Sequence, residues 1–181
     1  MSDLHNKDFE KLTVPLLDSM YNFACWLSGD ADEAKDLVQE AVVKALKGFG
    51  SFNAGTNFRA WIFRILRNTF LTSKTGLERR NTVQENEEGF EDAVASGDTP
   101  ELALIRQADS ELVQEAIGKL PANFQEVLLL VDIEEMKYQE VAETLSIPIG
   151  TVMSRLARAR KQVRDHIVQA TGAKKTVGAK S

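Results

Sequence analysis

The sequence predicts an all-α protein: two helical domains joined by a flexible acidic linker, the C-terminal one containing a helix-turn-helix. Three observations carry this expectation. Apolar residues recur at the i, i+3, i+4 spacing of a helix face along most of the 181-residue chain. Only 11 Gly, 4 Pro and 7% aromatic residues favour helix over sheet. Between residues 84 and 101 there are seven acids and no basic residue, with Gly89, Gly97 and Pro100 interspersed, which is the composition of a solvated linker.

The first domain, residues 1–76, reads as three helices. Residues 9–27 place Phe9, Leu12, Leu16, Met20, Phe23 and Leu27 on one face, with Pro15 expected to kink the helix or mark a late start. Ser28, Gly29 and Asp30 end that helix and cap the next. In residues 31–47, Ala34, Leu37, Val38, Ala41, Val42, Ala45 and Leu46 should face a core, while Asp36, Gln39, Glu40, Lys44 and Lys47 face outward. A loop over 48–57 carries Phe49 and Phe52, and Thr56 or Asn57 is placed to cap a third helix over 58–74. That helix is apolar along Phe58, Trp61, Ile62, Ile65, Leu66 and Thr69. From Phe58 to Arg80 it gathers six basic residues against one acid. Basic residues interleaved with Trp61, Phe63 and Phe70 suit backbone contact plus stacking on unpaired bases, although Trp61 reads more simply as core.

After the linker, residues 77–101, a second domain spans 102–170, with helices expected at 103–119 and 122–132. Pro121 sits at a favoured helix start. A short helix over 138–145 puts Val141, Ala142 and Leu145 on one side, Ser146-Ile147-Pro148 breaks the pattern, and a longer helix covers 149–168. Ile149, Val152, Leu156, Ala159 and Val163 share its apolar face; Thr151, Ser154, Arg155, Arg158 and Gln162, with Lys161 beside them, lie nearly opposite. Residues 148–166 hold five Arg or Lys against one acid, in a chain of net charge −5. A basic second helix after a tight turn is the geometry for the DNA major groove, its plainer alternative being a core helix with a solvated basic face. Arg160 projects about 180° from Thr151. It is therefore left to grip phosphate, to pair with an acid such as Glu140 or Glu143, or to sit in solvent. Residues 171–181 read as a disordered tail.

At this point the two domains resemble a known pair. The stretch DADEAKDLVQEAVVKALKGFGSF followed by NFRAWIFRILRN is similar to conserved region two of sigma factors. The stretch LPANFQEVLLLVDIEEMKYQEVAETLSIPIGTVMSRLARARKQVRD is similar to their region four. With only an acidic linker between them, the chain resembles the extracytoplasmic-function class (group IV) of the sigma-70 family of RNA polymerase sigma factors. The resemblance implies docking on core RNA polymerase through Asp36, Gln39, Glu40 and Lys44. It implies −10 promoter recognition by Phe49, Ser51, Phe52, Asn53, Arg59, Arg64, Arg67 and Asn68, and −35 recognition by Thr151, Ser154, Arg155, Arg158, Lys161 and Gln162. It also implies an anti-sigma factor as a partner, beside core polymerase and promoter DNA. The family usually carries a glycine where this chain has Ser146, so a less sharply left-handed turn is expected there.

Other classes fit less of the chain. A conventional helix-turn-helix transcriptional regulator would explain the second domain but not the basic-aromatic surface of the first. No glycine-rich phosphate loop, metal-ligand cluster or paired nucleophile and base suggests an enzyme, and no cofactor or metal is expected. His166 reads as solvent-exposed or close to phosphate. Cys25, the one cysteine, sits among Phe23, Ala24, Trp26 and Leu27 and reads as a buried structural thiol. No apolar run approaches the ~18 residues of a membrane span. The opening MSDLHNKDFEK is unlike a signal peptide, so a cytoplasmic location is expected.

Overall fold

In the computed structural model, residues 2–75 and 100–177 are described, and they are helices and turns without a strand. The chain divides into two compact units, residues 1–88 with 139–146 and residues 89–138 with 147–181. The acidic segment expected as a linker lies, up to Thr99, outside the described residues; Pro100 and Glu101 belong to a helix.

Unit 1 opens with α1 (Ser2–Thr13) and, after a 3₁₀ turn at Val14–Leu16, α2 (Leu17–Ser28). The single helix expected over 9–27 is thus broken. Pro15 has no amide to donate and its ring crowds the preceding carbonyls, so the chain tightens for one turn before resuming. Leu12 is consequently exposed, while Phe9, Met20 and Phe23 stay buried. At the end of α2, Gly29 takes a left-handed φ of +71° and its amide donates to the Cys25 carbonyl at 2.8 Å. Asp30 then caps α3 (Ala31–Gly48), its Oδ1 accepting the amides of Asp32 and Glu33 at 2.9 and 2.8 Å.

The face α3 buries is a narrow stripe of Ala34, Leu37, Ala41 and Ala45. Val38 and Val42 are half-buried. Leu46, expected in the core, is exposed, because it lies about 100° round the helix from Ala45. After a 3₁₀ turn at Phe49–Ser51, α4 (Phe58–Thr75) begins at Asn57, whose Oδ1 accepts the Ala60 amide at 2.9 Å and settles which residue is the cap. Ile62, Phe63 and Leu66 of α4 are fully buried, and the Phe63 ring lies 5.7 Å from that of Phe23. Lys74, near the far end of α4, reaches Glu33 at 3.0 Å.

A later helix, α8 (Tyr138–Leu145), groups by contact with this unit rather than with the second domain that the sequence assigned it to. The Thr144 hydroxyl, almost fully buried, donates to its own helix at Glu140 and lies 3.4 Å from the Ala60 carbonyl. Asn57 Nδ2 donates to Glu140 Oε1 at 2.5 Å.

Unit 2 comprises α5 (Pro100–Gln107), α6 (Ser110–Gly118), α7 (Ala122–Leu128) and α9 (Ile149–Val177). The helix expected over 103–119 is split, because the Asp109 carboxylate accepts the Glu111 amide at 2.9 Å; Asp favours a cap over a helix interior. One widened π turn, Leu129–Ile133, follows α7 and closes with Glu134 N donating to the Leu129 carbonyl at 2.9 Å. Glu135 then takes a left-handed φ of +52°.

Val152, Leu156, Ala159, Val163 and Ile167 of α9 are buried, as their spacing predicts. Ile149 is exposed, since it stands at the helix's first turn, ahead of that core. The helix does not stop at residue 168: it continues to Val177, so the expected tail is helical over 171–177, where no proline interrupts it. Ser146, in the turn before α9, takes φ +56°. The left-handed turn is therefore made in full without glycine, against expectation.

Candidate nucleic-acid interfaces

In unit 1 the rings of Phe49, Phe52, Phe58 and Trp61 form one cluster. Phe52 and Trp61 lie 5.0 Å apart, Phe49 and Phe52 stack at 5.9 Å, and Phe58 meets Phe52 edge-on at 5.4 Å. Phe9 of α1 closes the cluster from below, 5.2 Å from Phe49. Such offset and edge-to-face pairs add about 0.5–1.5 kcal/mol each beyond their buried area, so the cluster holds its shape.

Phe49 itself is only 8% exposed, which removes it from the residues able to touch a base; it is the floor on which Phe52 rests. Phe52 and Trp61 remain half-exposed at the rim, so Trp61 is neither simply core nor simply surface. Beside them the loop is fastened to itself. Asn53 Oδ1 accepts the Gly55 amide at 3.0 Å, the Asn53 carbonyl accepts from the Thr56 hydroxyl at 2.7 Å, and Ser51 Oγ donates to the Gly48 carbonyl at 2.7 Å. Phe9 and Phe58 were missed as parts of this site. The signal was present for Phe58, which directly follows the loop, whereas Phe9 is far away in sequence and is brought in only by packing.

On α4, Arg64 and Asn68 are exposed and Arg67 half-exposed; their i, i+3, i+4 spacing makes one face. Arg59 is half-buried, its guanidinium 5.8 Å from the Phe63 ring centre.

Asp36, Gln39, Glu40 and Lys44 all lie exposed on α3, with Glu40 and Lys44 paired at 2.7 Å. Val43 and Leu46 share this outward face, 51% and 40% exposed. Sequence reading counted only the polar members and so missed that the face also exposes two aliphatic side chains.

In unit 2, Thr151, Ser154, Arg155 and Arg158 are half-exposed and Lys161 and Gln162 exposed, on the side of α9 away from Val152, Leu156 and Val163. Ser154 Oγ lies 3.2 Å from the Thr151 carbonyl, which keeps that hydroxyl close to the helix backbone. Arg160 behaves differently. It is 6% exposed and pairs with Asp132 of the π turn, an acid the sequence reading did not name.

His166 is half-buried against α6, its Nε2 3.5 Å from Glu115, and so is not the solvent-exposed or phosphate-facing group expected. Lys119, hydrogen-bonded to Glu115 at 2.6 Å, holds that carboxyl below the usual carboxylate range. Cys25 is half-buried rather than buried. Among the described residues no His, Cys, Asp and Glu group could hold a metal ion, and no helix is long and apolar enough to cross a membrane.

Known proteins match the chain over both regions. The sigma-70 region 2 family model matches residues 14–80, and the sigma-70 region 4 model matches residues 110–163. The sigma factor EcfG of Rhodopseudomonas palustris is 36% identical over 147 residues, covering 80% of this chain and 77% of the relative. SigE of Mycolicibacterium smegmatis is 32% identical; the match covers 89% of this chain but 62% of that longer protein. Among solved structures, the sigma factor RpoE from Bartonella quintana, in complex with the anti-sigma factor NepR, aligns with a TM-score of 0.68 at 31% identity, covering 88% of this chain and 96% of that one. CnrH, solved with the cytosolic domain of CnrY, shares the fold with a TM-score of 0.62 at 23% identity. Two sigma-70 regions in this order define a promoter-specificity factor. The chain belongs to the ECF RNA polymerase sigma factors.

Proposed function

We propose that this chain is an alternative sigma factor that binds core RNA polymerase, recognises −10 and −35 promoter elements and directs transcription initiation. The observation that carries it is the pairing of region 2 and region 4 in one chain, each with its own outward functional face. Asp36, Gln39, Glu40 and Lys44, with the apolar Val43 and Leu46, supply the polymerase-docking face of α3. Phe52 and Trp61, resting on Phe49, offer the ring surface for an unstacked −10 base. Ser51, Asn53, Arg59, Arg64, Arg67 and Asn68 attend the strand. Unstacking a base costs a few kcal/mol, and a fitted aromatic site with basic neighbours offsets it. Thr151, Ser154, Arg155, Arg158, Lys161 and Gln162 contact the −35 duplex.

The work is binding rather than bond-making, and it is done in the cytoplasm alongside the polymerase. An anti-sigma factor is a partner by likeness to RpoE, whose structure was solved with one. Run-off transcription tests the reading: purified chain plus core polymerase should initiate on selected genomic promoters without another specificity factor. Initiation that requires a second sigma factor would reassign the chain to the conventional regulators.

A further inference from the structure

The recognition helix carries one cation that cannot reach DNA. Arg160 is on the side of α9 away from Thr151, and its side chain is 7% exposed, opposite an Asp132 side chain 13% exposed. The contact is a fork. Arg160 Nε donates to Asp132 Oδ2 at 3.0 Å and a terminal nitrogen donates to Oδ1 at 2.6 Å. Such bidentate pairs are directional as well as strong. Asp132 stands in the π turn, where one extra residue per turn changes the direction in which the side chains that follow leave the helix.

Much of the remaining support for α9 is aliphatic, from Val152, Leu156, Ala159, Val163 and Ile167. Aliphatic packing of this kind accepts small slides and rolls of a helix, because it has no preferred direction. A base-reading side chain does not, since bidentate contact to a base edge holds only within hydrogen-bond geometry. Net stability is a poor reason for such a pair, because replacing a buried ion pair by apolar residues is often neutral or stabilising.

We infer that the Asp132–Arg160 fork is a positioning pair for promoter recognition: it fixes the roll of α9 about its axis and so sets where Thr151, Ser154, Arg155 and Arg158 meet the −35 duplex. Asp132 and Arg160 touch no DNA themselves. The inference rests on the proposed −35 role of this stripe.

The test uses the full chain. Promoter fragments are first selected from a library randomised in the −35 element by wild-type chain with core polymerase; failure of this step would count against the sigma-factor reading and not against the pair. Binding of the selected fragment is then compared with that of the same fragment carrying a scrambled −35 element. The variants are Asp132→Leu/Arg160→Met, which removes both charges together, and Arg160→Lys, which keeps the charge but not the fork. Neither changes the net charge, so the dependence of binding on salt should match wild type, as a phosphate grip alone would leave it. The expected result is at least a tenfold fall in the preference for the selected over the scrambled fragment, with the helical content and cooperative melting of wild type retained. If the double variant does not fold, Arg160→Lys decides alone. Wild-type preference in the folded variants would overturn the inference and leave the pair a structural contact only.

Discussion

Unit 1 rests its proposed nucleic-acid face on aromatic rings, whereas unit 2 rests its own on branched aliphatics and a buried ion pair. Phe49, Phe52, Phe58 and Trp61 in the first make a broad platform whose rim is itself the proposed binding surface. Val152, Leu156, Ala159 and Val163 in the second are entirely behind the surface they support, and a directional fork at Arg160 is added to them. The difference suits the two proposed tasks. A splayed base is flexible and can settle on a rigid apolar plate, whereas a duplex groove is fixed and demands that the protein come to it in register.

The sharpest way to break the comparison is to remove a ring from the platform. Phe58→Ala deletes the ring that touches Phe9, Phe49, Phe52 and Trp61 and should cost about 3–5 kcal/mol. A urea titration followed by Trp fluorescence would register it, and a loss under 1 kcal/mol would mean the cluster is not a unit. Next in size, Arg160→Ala alone leaves the Asp132 carboxylate nearly buried without its cation and should cost about 3 kcal/mol. That value, from thermal melts, should exceed the cost of the apolar double replacement; equality of the two would contradict the description of the pair.

Arg155→Ala and Arg158→Ala act on the face and not on its support. Each should weaken −35 binding by ~1–3 kcal/mol if it reads a base, with stability little changed. Equal losses on every sequence would make the stripe a phosphate grip. Smaller again is Ser146→Gly, which relieves a left-handed residue and should stabilise the chain by about 0.5–1 kcal/mol, read as a raised urea midpoint. A lowered midpoint would show that Ser146 makes a compensating contact. Least in stability is Glu40→Lys. It should cost under ~0.5 kcal/mol yet weaken polymerase binding, and unchanged polymerase affinity would remove α3 from the docking face.

Much of this was legible in the sequence because helical spacing reports burial directly. Ala34, Leu37, Ala41 and Ala45 of α3, and Val152, Leu156, Ala159 and Val163 of α9, are buried where the pattern put them. The outward positions of Asp36, Gln39 and Glu40 followed from the same geometry. What escaped depended on events that periodicity does not encode. Asp109 diverts its carboxylate to a helix start and splits a helix that reads as continuous. Pro15 was noticed, but whether it bends or breaks a helix is decided by the packing around it. The partner of Arg160 was sought on the preceding short helix, at Glu140 or Glu143, whereas the π turn delivers Asp132, 28 residues away. Phe49 was placed among the contacts by resemblance to the family's region two, and only packing shows that it is the floor.

The length of α9 has a consequence of its own. At 29 residues and ~1.5 Å per residue the helix is about 43 Å long, but its last buried described residue is Ile167. Val168, Gln169, Thr171 and Gly172 are all exposed, so this stretch of the helical hydrogen-bond ladder carries little apolar packing. Helical segments shorter than ~12–15 residues are marginal in water without packing. The ladder should therefore unzip from its outer end many times for each opening of the body, giving a steep gradient of amide exchange along one continuous helix, slow at Val152 and Val163 and fast past Val168.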